Sequence, residues 1–85
     1  MDDDIEYVRR SKNRTHIMKS LDEFPKIPSE LAEATVISLQ HTSHGLKELS
    51  DRDLVVCLNP EEKKGRIYRL TEKGEKVLEE VLKKK

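Results

Sequence analysis

Apolar positions recur along this chain with helical spacing, except over one late stretch where they follow strand spacing. The most informative segment is Pro28 to Asp53. Within it Leu39, Thr42, Leu46 and Leu49 stand at i, i+3, i+7 and i+10, which gathers them on one arc of a helix of about Leu39 to Ser50. Gln40, Ser43, His44 and Lys47 fall on the opposite strip, flanked by His41 and Glu48. Ser38 precedes the first apolar position, where a hydroxyl accepts from first-turn amides, so it is the expected N-cap. Pro28 suits the first position of a preceding helix that runs to about Ala34, with Leu31 and Ala34 inward and Ala32 close by. Thr35-Val36-Ile37 is then the turn, with Val36 and Ile37 filling the angle between the helices. Residues of about 28–51 therefore read as a helix-turn-helix.

The flanks read as support for that unit. Ile17, Met18 and Leu21 form a stripe on a helix ending near Glu23, and Ser11 caps its start. A short lead-in helix precedes Ser11; its Ile5 and Val8 are out of phase with the stripe. With Tyr7 they face either a second subunit or one end of the core. Phe24 to Pro28 is an extended linker in which Lys26-Ile27 can add a minimal edge strand. Gly45, beside the buried arc, marks close approach of the preceding helix, and Asp53 stands where a chain leaving a helix needs positive φ.

After Asp53 the period changes. Leu54 to Leu58 is a short β-branched apolar run, residues 59–65 are polar with turn formers, and Arg66 to Leu70 alternates. Together they predict a two-stranded wing over about 54–70. Thr71 caps a last helix, about 71–83, whose Val77, Leu78, Val81 and Leu82 extend beyond what a small core needs. The expected fold is α+β and mainly helical. It is a winged helix-turn-helix with a three-helix core, an antiparallel wing and a C-terminal helix, forming one domain over residues 1–85.

Composition sharpens this picture. With 85 residues, 34% hydrophobic and 40% charged, the chain has room for one small core, and a dimer would bury more apolar surface. No apolar run is long enough to span a membrane, and the acidic start is unlike a signal peptide, so a cytoplasmic protein is expected. The single cysteine, Cys57, excludes an internal disulfide and reads as a small buried strand residue. Net charge is zero, which predicts weak non-specific affinity for nucleic acid. The charge is nonetheless segregated, with basic groups at Arg9 to Lys19 and at Lys63, Lys64, Arg66 and Arg69.

The segments RSKNRTHIMKSL, IPSELAEATVISLQHTSHGLKELSDRDLVVCL and NPEEKKGRIYRLTEKGEKVLEEV resemble archaeal winged helix-turn-helix transcriptional regulators of the ArsR/MarR-like group. The resemblance covers nearly the whole chain and is most specific across Ser43 to Val55 and Gly65 to Gly74. It implies a homodimer on double-stranded DNA; the apolar positions of the N-terminal and C-terminal helices offer the seam, with packing on the chain's own core as the alternative at both ends. It also implies recognition-helix contacts from Ser38, Gln40, His41, Ser43, His44 and Lys47, and wing contacts from Lys63, Lys64 and Arg66. The cysteine-rich box of the metal sensors in that group is absent, so metal regulation does not carry over.

A short, nearly neutral, hydrogen-bonding strip suits base edges better than the Lys/Glu mixture of a solvated face. The rival reading is a winged helix that docks another protein, favoured by zero net charge and by Glu61 and Glu62 at the base of the wing. His41 and His44, at i and i+3, make an incomplete metal site, and His16 beside the apolar stripe reads as a half-buried structural residue. The chain lacks a phosphate loop and a nucleophile–base pair with its orienting group, so neither an enzyme nor a cofactor is expected. No small-molecule effector is specified.

Overall fold

The computed structural model describes residues 2–83. Seven elements follow in order: α1 (Asp2–Arg9), α2 (Lys12–Glu23), α3 (Pro28–Thr35), α4 (Leu39–Asp51), β1 (Val55–Cys57), β2 (Tyr68–Leu70) and α5 (Glu72–Lys83). Each helix boundary has a local cause. Ser11 accepts from the Arg14 amide at 3.2 Å and splits α1 from α2, as the capping pattern requires. Pro28 occupies the start of α3, while Glu30 reaches back to accept from the Ile27 amide at 3.1 Å. Thr71 accepts from the Gly74 amide at 2.9 Å and opens α5.

The core is one cluster. Ile17, Met18 and Leu21 of α2, Leu31 of α3, Leu46 and Leu49 of α4, Leu54, Val55 and Leu70 of the sheet, and Val77, Leu78 and Val81 of α5 meet in it. Each fully buried Leu or Val contributes roughly 1.5–3 kcal/mol of transfer free energy. Val8 is also fully buried, with Ile5 and Tyr7 packed against the cluster, so α1 closes one end of this chain's own core. Gly45 lets α2 approach α4: a Cβ there would stand 3.0 Å from the end of the Ile17 side chain. The helix that comes close is thus α2, rather than the immediately preceding one.

β1 and β2 are antiparallel, with Val55 opposite Leu70, Val56 opposite Arg69 and Cys57 opposite Tyr68. Lys26 adds a single bridge, its amide donating to the Tyr68 carbonyl at 3.0 Å and its carbonyl accepting from the Tyr68 amide at 2.9 Å. The minimal third strand expected at Lys26-Ile27 is therefore one residue long. Tyr68 and Leu70 share the inward face, with Ile67 and Arg69 outward, as the pleat demands. The whole is a mainly helical α+β winged helix.

Several side chains lie elsewhere than periodicity places them. Ala34 and His16 are exposed rather than inward, and Cys57 is only half-buried. Val36 is 92% exposed and adopts the left-handed conformation, φ 58°, that closes α3. Its amide and that of Ile37 both donate to the Ala32 carbonyl, so Val36 ends the helix by its backbone instead of filling the angle by its side chain. Leu39 is 54% exposed, because the buried arc of α4 is made of Thr42, Gly45, Leu46 and Leu49. The expected and observed arcs share Thr42, Leu46 and Leu49 and differ only in Gly45 standing for Leu39, a shift of about 30° around the helix.

Candidate nucleic-acid interface

The outer face of α4 is set by what its inner face buries. With Thr42, Leu46 and Leu49 sealed against α2 and α3, the helix presents Gln40, His41, Ser43, His44 and Lys47 to solvent together. The cap holds the helix entry: the Ser38 hydroxyl accepts from the His41 amide at 3.1 Å and lies 3.1 Å from His41 Nδ1. Further along, His44 Nε2 lies 3.3 Å from a Glu48 carboxylate oxygen and Lys47 Nζ lies 3.7 Å from Asp51. Gln40 and Ser43 make no side-chain hydrogen bond among the described residues. They are the groups with donors and acceptors still to offer.

Behind this face stands a brace with no sequence signal. Arg14 of α2 lies 3.7 Å from Glu48, and its guanidinium stacks 3.6 Å from the centre of the Tyr7 ring. Arg52, just past α4, lies over the same ring at 3.8 Å and reaches the Asp4 carboxylate at 3.0 Å. Lys73 of α5 reaches the other Asp4 oxygen at 3.1 Å. Burial alone would raise the Asp4 carboxyl above its ordinary value; the hydrogen bonds and charges of Lys73 and Arg52 outweigh it, and the group is held below that value. Burial and the neighbouring Glu48 carboxylate push Tyr7 above the usual phenol range. These pairs lie as far apart as Asp4 and Lys73 in sequence, so no spacing rule reaches them.

The exit of α4 aims the wing. Asp53 has φ 64°, and the Leu54 amide donates to the Leu49 carbonyl at 2.9 Å, a left-handed cap that turns the chain into β1. The wing loop is held from within by Asn59, whose Oδ1 accepts from the Ile67 amide at 2.7 Å and whose Nδ2 donates to the Gly65 carbonyl at 3.1 Å. Arg66 also points inward on the loop, donating to the Glu62 carbonyl at 2.6 Å and to the Pro60 carbonyl at 3.1 Å. It braces the loop while remaining exposed to solvent. Lys63 and Lys64 are exposed at the tip and form no ion pair among the described residues. Among those residues, no group of three or more His, Cys, Asp or Glu side chains is placed to hold a metal ion, and no helix is long and apolar enough to cross a membrane.

Two facing helices with a three-residue turn, followed by a strand pair and a closing helix, define the winged helix class. Within it, the chain belongs to the family described as the HVO_A0261 N-terminal domain, whose model matches residues 2–84. No curated protein matches. Among solved structures, the chain is similar to the regulator BldR from Sulfolobus solfataricus, at TM-score 0.77 and 23% identity over 86% of this chain and 53% of that one. It is similar to the adhesin competence repressor AdcR of Streptococcus pyogenes, at TM-score 0.75 and 20% identity over 86% of this chain and 55% of that one. A cysteine-to-serine mutant of MarR from E. coli, solved with operator DNA, is similar at TM-score 0.75 and 23% identity over 86% of this chain and 54% of that one. At such identities these likenesses show a shared fold, and the chain spans about half the length of the proteins it matches.

Proposed function

We propose that this chain is a sequence-specific DNA-binding domain of a transcriptional regulator, acting on double-stranded DNA as a homodimer. The observation that carries the reading is the outer face of α4, where Gln40 and Ser43 stand exposed and unengaged on a rigidly backed helix. In this reading α4 enters the major groove. Gln40 pairs bidentately with adenine, a preference worth about 1–3 kcal/mol over a wrong base. Ser38, His41 and Ser43 meet base edges or phosphates near the helix entry, while His44 and Lys47 serve farther along, each already leaning on a carboxylate of its own helix. Lys63 and Lys64 reach the backbone or minor groove from the wing, and Arg66 holds the loop that carries them. The winged-helix regulator solved with operator DNA supports this reading by its shared fold. A place among archaeal ArsR/MarR-like regulators, working in the cytoplasm, is its finer form.

The dimer in this proposal uses α1 and α5. Leu82 is 50% exposed, and with Leu78 it borders a hollow between α5 and the Asp22 end of α2. The protein-docking alternative draws on the acidic exposed residues Glu30 and Glu33 of α3 and on Glu61 and Glu62 of the wing. Substitution decides between them. On a duplex enriched by the protein, Gln40→Ala lowers affinity and relaxes preference at one base pair, whereas Lys63→Ala weakens all duplexes alike. If Gln40→Ala and His44→Ala leave both affinity and preference unchanged, the α4 face is not the reading surface.

A further inference from the structure

The longest stretch of this chain without Lys or Arg runs from Ile27 to Leu46, in a sequence that is 40% charged. Its only acidic residues are Glu30 and Glu33, one turn apart on α3 and both exposed. Glu30 turns one carboxylate oxygen to the Ile27 amide, at 3.1 Å, and keeps the other for solvent. Among the described residues neither carboxylate forms an ion pair. With Ser29 and the half-buried Ala32 they line an open hollow whose far wall is Leu39, the first residue of α4. Leu39 leaves more than half of its surface uncovered there. The hollow thus pairs an aliphatic wall with two uncompensated negative charges.

We propose that this hollow docks a cationic segment of a partner protein, with an aliphatic side chain packed on Leu39 and Ala32 and Lys or Arg side chains meeting Glu30 and Glu33. The chemistry sets the other occupants aside. A phosphate backbone is repelled by both carboxylates, with no cation nearby in the sequence to offset them. A metal ion finds no group of three His, Cys, Asp or Glu side chains among the described residues. A wholly apolar ligand would strip water from the carboxylates without giving them a partner. A cationic segment answers both halves of the site, and the planar fork of Arg matches a carboxylate in two hydrogen bonds. Five lining residues fall far short of the roughly 800 Å² per side of a stable protein interface, which also argues against a second copy of this chain. The contact is therefore weak alone and serves a partner already held nearby, where effective concentration is high. It stands apart from the DNA reading, which uses the outer face of α4.

The test titrates the isotope-labelled full chain with a short synthetic peptide repeating Leu-Arg-Lys and follows the backbone amide shifts. Two control peptides carry Ser in place of Leu, or Glu in place of Arg and Lys. The expected result is a saturable shift centred on Ser29 to Glu33 and Leu39, given by the first peptide and by neither control. Glu30→Gln with Glu33→Gln removes the charge, keeps an oxygen for the Ile27 amide, and weakens binding about tenfold. Leu39→Ala keeps the charges, leaves the exposed helix start intact, and weakens binding about fivefold. The spectra of the unliganded variants check that each remains folded. No saturable shift, a response centred on Glu61 and Glu62 of the wing or on Glu75 and Glu79 of α5, or binding that survives both variants overturns the proposal. So does equal binding of the Ser peptide, which would reduce the site to bare charge. A random-sequence duplex that saturates the Ser29 to Glu33 amides overturns it in favour of nucleic acid. Shifts of those amides with protein concentration alone overturn it in favour of a second copy.

Discussion

At the scale of single residues, the two helical glycines separate crowding that can yield from crowding that cannot. A Cβ on Gly74 would run into the carbonyl oxygen of Leu54, which is backbone fixed between α4 and the sheet. A Cβ on Gly45 would meet only the far end of the Ile17 side chain, at 3.0 Å. Gly74→Ala should therefore cost about 2–3 kcal/mol, in the upper range for overpacking. Gly45→Ala should stay within about 1 kcal/mol of the parent, because helix propensity offsets the squeeze. Urea unfolding checks both, and equal midpoints for the two variants would contradict the contrast. Residue identity alone distinguishes neither glycine, since the difference lies in which atom faces each of them. The same limit explains Leu39 and Val36. Helical phase keeps Leu39 in line with Leu46, but as the first residue of α4 it stands at the open edge against α3, bordering a hollow with Glu30 and Glu33. Val36 is assigned inward by its chemistry and outward by its left-handed backbone.

At the scale of elements, the sequence is most legible where one chain segment carries its own signal. Both breaks at caps, Ser11 and Thr71, the start of α3 at Pro28 and the positive φ of Asp53 all follow from local rules. The register between elements does not, and Asp4 shows why. Its carboxylate joins α1 to Arg52 beyond α4 and to Lys73 of α5, a contact made only once the core has formed. Because this carboxyl is held below its ordinary value in the folded chain, its contribution is present at neutral pH and down to the unfolded carboxylate's range. It is lost as pH falls through the folded value. Asp4→Asn should cost about 1.5–3 kcal/mol at pH 7, as for hydrogen bonds to charged groups. The difference from the parent should shrink as pH is lowered toward 2. A difference independent of pH would contradict the clamp. The wing offers a second element-scale test. Arg66→Ala should loosen the loop and raise amide exchange at Ile67, whereas Lys63→Ala and Lys64→Ala should leave exchange unchanged.

At the scale of the whole molecule, charge and apolar surface both point outward from the chain. Net charge is zero, and Lys47 and Arg66 are engaged within the chain, which leaves Lys63, Lys64 and Arg69 as the wing's outward cations. With two to three phosphate neutralisations per protomer, the logarithm of affinity should fall against the logarithm of salt with a slope of roughly −2 to −3 per protomer. Such a modest electrostatic term leaves discrimination to the short-range contacts of α4. Leu82→Glu should shift sedimentation toward the monomer while keeping the helical spectrum, if α5 forms the proposed dimer seam. The central claim, sequence-specific recognition of double-stranded DNA, is tested most directly by selection of random duplexes with the purified protein, followed by the affinity of the winners across a salt series. The expected result is an enriched site with two-fold symmetry and the shallow salt slope given above. No enrichment, with only feeble binding at low salt, would contradict it and turn attention to a protein partner for the same face.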